Sequence, residues 1–243
     1  MTATKADIIA RLQRDILPLQ GFKTSANNSA LDEVLGPIKN AFAHNSFPVS
    51  GIHEFISHTV EDVATTYGFI ASILASLMQK GRACIWIGHT QAIFPPALKA
   101  FGIAPEKIIF IQLQKEKEML WAMEEALRCD GLAAVLCEVK ELSFTASRRL
   151  QLAVEKSGVT GFIVRTKPRN VGANACVTRW QITSLRTVLE EGMPGIGFPR
   201  WNVSLLKVRN GKPDNWQIES RAGRLMHIYK TASITALPKR KTG

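Results

Sequence analysis

GIHEFISHTVEDVATTYGFIASILASLMQKGRACIWIG, residues 51–88, reads as a strand, a long helix and a second strand. Gly51–Ser57 is short and apolar between turn residues. Asp62–Lys80 carries apolar residues at helical spacing and stops at Gly81, a usual helix terminator. Ala83–Gly88 is a continuous apolar run, which marks a strand buried on both faces.

The alternation continues downstream. Gln91–Phe101 reads as a short helix, Ile108–Gln112 as a strand, Glu116–Cys129 as a helix and Leu132–Cys137 as a strand. Ala146–Ser157 then reads as a basic amphipathic helix ending at Gly158, and Thr160–Arg165 as a further buried strand. Strands alternating with helices predict an α/β core, a mostly parallel sheet flanked by helices on both faces. After Lys167 the period becomes two. Val177–Ser184, Trp201–Arg209 and Trp216–Glu219 predict an antiparallel hairpin near the C-terminal end, turning at Asn210-Gly211-Lys212-Pro213.

Upstream, Ile8, Ile9, Leu12, Ile16 and Leu17 give residues 4–20 an amphipathic helical face, ended by Pro18. Residues 21–31 read as a linker and 32–45 as a weak, short element. The predicted organisation is an N-terminal helix and linker over 1–45, a core over 46–220 and a loose basic tail over 221–243.

Charge is unevenly placed. Residues 1–139 hold 12 Lys/Arg and 14 Asp/Glu, net −2; residues 140–243 hold 19 and 6, net +13; together they give the chain's +11. A basic half on a near-neutral core suits a polyanion such as nucleic acid, or serves solubility. The N-terminal stretch lacks an apolar signal core, and no apolar run reaches membrane-spanning length. The expectation is a cytoplasmic chain without a membrane partner. Of Cys84, Cys129, Cys137 and Cys176, three lie in apolar or strand-like runs and none has zinc-ligand spacing. They read as buried thiols in a reducing compartment.

In a nucleotide-binding α/β sheet, a Gly-rich loop after the first strand cradles phosphates with free N–H groups. A Lys neutralises them and a Ser/Thr holds magnesium. The corresponding stretch here, Ser57-His58-Thr59-Val60-Glu61-Asp62-Val63-Ala64, has no Gly or Lys and offers two carboxylates instead. Those carboxylates complement a helix N-terminus. They repel a polyphosphate, by about 4 kcal/mol for a like charge at ~4 Å and an effective dielectric near 20. No Ser/His/Asp set is recognisable. His53, His58 and His89 invite a metal at the strand ends, but lone histidines are more often structural, and no metal is expected. Glu54 and Glu138 sit where an ATPase keeps carboxylates for water and magnesium; without a phosphate loop they read as remnants or hydrogen-bond anchors.

The order of elements resembles bacterial RecA over residues 46–220. In that register Ser57 stands for the first Gly of the phosphate loop, Asp62 for the second, Val63 for the Lys and Ala64 for the Ser/Thr; LAAVLCE matches the acidic-ended strand, with Glu138 for Asp. The resemblance is closer to the ImuA family of RecA-like accessory proteins. It rests on GIHEF, on Thr178-Arg179-Trp180 and on PRWNVSLLKVRNGKPDNWQIES from Pro199.

That resemblance implies a non-catalytic accessory factor in SOS-linked translesion mutagenesis, with no cofactor and no catalytic residue. The implied partners are RecA, a Y-family polymerase-like protein of the ImuB type and an error-prone replicative-type polymerase. The alternative is the related division inhibitor SulA, which implies FtsZ binding.

Contact with single-stranded DNA or a partner points to Arg148, Arg149, Arg165, Lys167 and Arg169, with KPRNVGANA as a mobile phosphate-contacting loop. Alternation sets Arg179 and Arg200 on the faces opposite Trp180 and Trp201, hence tryptophans in the core and arginines outside, where they serve as candidate contacts for DNA or an acidic partner. The apolar face of residues 4–20 packs on its own core or serves self-association or docking on RecA.

Overall fold

The computed structural model describes residues 29–228 apart from 80, 92, 189–194 and 222. The predicted helix over 4–20, the segment 21–28 and the end of the basic tail lie outside the described residues.

Nine strands form one sheet in the order β3-β2-β4-β5-β1-β6-β7-β8-β9. They are β1 (Ile52–Ser57), β2 (Ala83–Gly88), β3 (Ile108–Gln112), β4 (Leu132–Val139), β5 (Thr160–Thr166), β6 (Thr178–Leu185), β7 (Arg200–Val208), β8 (Asp214–Arg221) and β9 (Arg224–His227). Pairings from β3 across to β6 are parallel, and those from β6 to β9 are antiparallel. The helices are α1 (Ser29–Leu35), α2 (Val60–Leu77), α3 (Glu116–Leu127) and α4 (Phe144–Ser157). The predicted helix at 91–101 is a 3-10 turn over Pro95–Phe101, opened by two prolines and closed by left-handed Gly102.

Two apolar layers sandwich the sheet. One joins α1 and α2 to Phe55, Trp86, Phe162, Trp180, Trp201 and Ile218; the other joins α3 and α4 to Ile52, Val135, Cys137 and Ile163. Trp180 is fully buried and stacks on Phe55, with centroids 6.1 Å apart. Each such side chain contributes roughly 1.5–3 kcal/mol by leaving water. Period-two alternation placed both tryptophans correctly.

Two boundaries differ from the sequence reading. The N-terminal portion does not end at 45 as a separate appendage: Leu31, Leu35, Ile38, Phe42 and Phe47 are all buried in the first layer. The tail does not become loose at 221, because β9 closes the sheet edge and Leu225 is buried. His227 Nε2 donates to the carbonyl of Leu35 at 3.0 Å, tying the last strand to α1. The Asn-Gly turn forms as expected. Asn210 takes φ +57°, and Lys212 N donates to the carbonyl of Ala41 at 2.9 Å.

Candidate functional site

β1 ends at Ser57 and α2 begins at Val60, so only His58 and Thr59 lie between strand and helix. Glu61, Asp62, Val63 and Ala64, aligned above with the second half of a phosphate loop, lie in the opening turns of α2, which starts two residues before the predicted Asp62. Thr59 is the N-cap. Its hydroxyl accepts from Asp62 N at 3.1 Å, and Asp62 Oδ2 accepts from Thr59 N at 3.2 Å, a reciprocal capping box. Val63 N donates to the carbonyl of Thr59 at 3.2 Å. Hydrogen bonds from its own backbone amide and from Thr59 hold the Glu61 carboxyl below its ordinary range. The amides of Thr59, Glu61, Asp62 and Val63 are thus committed to the protein's own oxygens. Below them, Ser57 Oγ and Thr66 Oγ1 bond at 3.0 Å in the interior.

Glu54, three residues before this end of β1, is fully buried. Its Oε1 accepts from Arg165 at 2.9 Å; its Oε2 accepts from Arg179 at 2.5 Å and from Asn174 Nδ2 at 2.7 Å. Arg165 is 1 % exposed and also donates to Glu141 Oε2, the carbonyl of Lys140 and the carbonyl of Asn170. Two carboxylates and two guanidinium groups balance, and each buried charge is hydrogen-bonded. A buried ionic cluster persists only on those terms.

This cluster and a separate pair between β7 and β8 correct the surface reading of three residues. Arg165 is interior, with its guanidinium turned to Glu54 and Glu141. Arg179, 13 % exposed, is held by Glu54 and by the carbonyl of Gly172. Arg200 is half-buried against Glu219 at 2.7 Å. The expected mobile loop is fastened along its length. Arg169 N donates to Glu141, Ala175 N to Ser147 Oγ, and Lys207 Nζ to the carbonyl of Asn174. A bulge helps: Arg179 pairs with Lys207 while Trp180 pairs with Leu205, leaving Leu206 as the extra residue.

The remaining cations are exposed. Lys167 and Arg169 flank the carboxyl end of β5, and Arg148 and Arg149 lie on α4, with Arg149 bonded to Glu124 at 2.6 Å. The candidates therefore comprise a buried pair, two cations just past β5, two on α4, and Arg200 on β7.

Glu138 behaves as an anchor. It accepts from Trp86 Nε1 at 2.7 Å, burial pushes its carboxyl up, and its proximity helps push the Tyr67 hydroxyl up after burial itself. The histidines do not gather. His58 is exposed beyond β1, whereas His53 is buried within it. His53 Nε2 donates to the carbonyl of Pro48, and Nδ1 accepts from Thr178, whose oxygen accepts from Trp180 Nε1 at 2.6 Å. Burial lowers the His53 imidazole to about 3. No group of metal-ligating side chains occurs among the described residues. Cys84, Cys137 and Cys176 are buried, with thiols pushed up by burial, to about 12 for Cys84; Cys129 is exposed. No helix among the described residues is long and apolar enough to cross a membrane.

The sequence reading missed Asn174, Glu141 and Lys207. Each bonds a residue distant in the chain or a carbonyl, so no local pattern signals it. The conspicuous sign was Glu54 itself, a carboxylate inside an apolar strand, which requires a cationic partner.

A nine-stranded, mostly parallel sheet with an antiparallel extension and helices on both faces is the RecA-like class of α/β protein. The solved RadB recombinase superposes with a TM-score of 0.53, covering 85 % of this chain and 100 % of that one at 11 % identity. Protein ImuA of Caulobacter vibrioides is 31 % identical over 212 residues, 82 % of this chain and 87 % of that protein. The chain belongs to the ImuA family. The cell division inhibitor SulA of Yersinia pestis is 27 % identical over 128 residues, 52 % of this chain and 75 % of the inhibitor. No family model matches the chain.

Proposed function

We propose that this chain is a non-catalytic, RecA-like accessory factor in SOS-induced translesion mutagenesis, acting through protein partners without nucleotide turnover. The partners of this reading are RecA, an ImuB-type Y-family polymerase-like protein and an error-prone replicative-type polymerase. Membership of the ImuA family supports the role. The observation that carries the non-catalytic half is the two-residue junction after β1, where the capping box and Glu61 engage the helix-terminal amides and present carboxylates where γ-phosphate chemistry needs cations. Glu54 and Glu138, the carboxylates at the ATPase positions, serve as anchors for arginines and a tryptophan.

Single-stranded DNA is a secondary ligand of this reading. It would meet Lys167 and Arg169 at the strand ends and Arg148 and Arg149 on α4, without sequence preference. The competing reading is a SulA-like inhibitor of FtsZ, favoured by the partial similarity to that protein. That match spans 52 % of the chain against 82 % for ImuA, so we place it second.

Calorimetric titration of the full chain with Mg-ATP tests the first half. No binding heat at millimolar nucleotide is expected; saturable binding with turnover overturns it. Replacing Asp62 and Val63 by Gly and Lys leaves Ser57, Ala64 and the short junction in place, so that double variant remains without ATPase activity.

A further inference from the structure

An open α/β sheet meets its ligands beyond the carboxyl ends of its parallel strands. With the amides at the start of α2 engaged, that end offers something other than a phosphate cradle. β6 runs parallel to β1 with Ile56 beside Gln181 and continues to Leu185, so it projects past Ser57. β7 starts opposite that projection, with Leu185 paired to Arg200. Thr65 Oγ1 on α2 donates to the carbonyl of Ile182 at 3.3 Å, and Lys167 N at the end of β5 donates to the carbonyl of Ser57 at 2.8 Å. The start of α2 and the ends of β5 and β1 thus form a floor beside a projecting ribbon.

Floor and ribbon both hold large apolar side chains in water. Val60 opens α2, and Val188, Ile196 and Phe198 belong to the ribbon; all four are exposed, Ile196 by 87 %. The described arms of the ribbon lie together, because a Cβ on Gly197, at φ +72°, would stand 2.9 Å from the carbonyl of Val188. The Arg221 guanidinium lies 4.7 Å from the centre of the Phe198 ring and covers one face of it. Exposed apolar side chains gathered in one place and rimmed by charge mark protein contacts.

Charge indicates what covers them. Most carboxylates around this end are satisfied within the chain: Glu141 by Arg165, Glu219 by Arg200 and Arg221, and Asp62 by the cap of α2. Glu61 is exposed, with Lys167 nearby. Lys167, Arg169 and Arg186 are exposed as well, and among the described residues none of their side chains enters an ion pair. Cations are therefore left over beside the apolar residues, and their complement is a protein segment that sets apolar side chains among Asp or Glu. Single-stranded DNA would also satisfy the cations. Val60, Val188 and Ile196, however, have no ring to stack on a base, and Phe198 is already covered on one face.

We propose that the carboxyl end of β5, β1 and β6, with the ribbon leading into β7, is the docking face for an acidic, apolar segment of a partner protein. The proposal rests on the reading of the chain as a factor that works through partners, and gives that reading a surface and a recognition chemistry.

Selection of a random-peptide library displayed on phage against the immobilised full chain tests it. The enriched peptides are expected to combine Asp or Glu with aliphatic or aromatic residues. Arg186→Glu and Ile196→Asp, both at exposed positions, are each expected to weaken the selected peptides by about tenfold, the loss of one anchoring contact, with the melting temperature unchanged. A selection that enriches nothing, or enriches basic or uncharged peptides, overturns the proposal, as does undiminished binding by both variants. A dT oligonucleotide that binds the wild type and is lost from both variants, while acidic peptides do not bind, also overturns it and gives the face to nucleic acid. Turnover of Mg-ATP would overturn the non-catalytic reading without changing any of these outcomes, so the two failures are separable.

Discussion

Replacing Glu54 by Gln keeps the shape of the side chain and removes one charge from the interior. In the wild type, Glu54 is fully buried and its two oxygens take three donors, from Arg165, Arg179 and Asn174. Glu141 remains near Arg165 in the variant, but its side chain is 46 % exposed and it does not reach Arg179 through any bond seen here. The substitution therefore leaves about one uncompensated positive charge in a dry site, and turns two acceptor oxygens into one oxygen and one donor. Removing one partner of a buried ion pair costs about 3–5 kcal/mol. At roughly 2–4 °C per kcal/mol for a chain of this size, the melting temperature falls by about 6–20 °C. Urea denaturation followed by circular dichroism measures the difference directly. Because Asn174 and the loop before β6 hang on the same carboxylate, proteolysis within residues 167–177 should accelerate in parallel. A loss below about 1 kcal/mol, or a gain in stability, would refute the reasoning. It would indicate that Glu54 is retained for chemistry at the strand ends, since functional groups are commonly held at a cost in stability.

Three further outcomes follow from the packing. Gly68 on α2 faces the Trp201 ring, and a Cβ there would lie 2.8 Å from Cη2, so Gly68→Ala is expected to cost about 1–3 kcal/mol by overpacking, read from the urea midpoint. Thr59→Ala removes the cap of α2 and is expected to cost about 0.5–2 kcal/mol without creating nucleotide affinity, checked by denaturation and by titration with Mg-ATP. The folded-state value of about 3 for His53 lies below its ordinary 6.5, so the neutral ring is favoured by folding. Its contribution is complete above pH 6.5 and is lost as pH falls from 6.5 toward 3, by several kcal/mol in all. The urea midpoint of wild type should drop more steeply between pH 7 and pH 4.5 than that of His53→Gln, and equal slopes would count against this assignment.

The sheet was largely legible because its strands are continuous apolar runs between helical periods, and β2 and β3 begin and end where the apolar runs do. The antiparallel extension was legible from the alternation around Trp180 and Trp201 and from Asn210-Gly211. β9 was not, since Arg224–His227 is short and carries charge, and its strand character comes from pairing with β8 and from burial of one residue, Leu225. At the strand ends, sequence started the helix at Asp62 and set Glu61 and Asp62 at its N-terminus; the helix starts two residues earlier, at Val60, with Thr59 as its cap. Arginine exposure was the weakest inference. Alternation put Arg179 opposite Trp180, as observed, yet the far face of the sheet at that point is covered by the 167–177 segment and holds a carboxylate. Period-two reasoning says which face a residue takes; it does not say what else packs there.

The most direct test of the central claim is capture of the tagged full-length chain from DNA-damaged cells, with its companions identified by mass spectrometry. The account predicts recovery of RecA or of a Y-family polymerase-like protein, unchanged when ATP is depleted from the lysate. Recovery of FtsZ without either of them would contradict it and move the chain to the division-inhibitor reading.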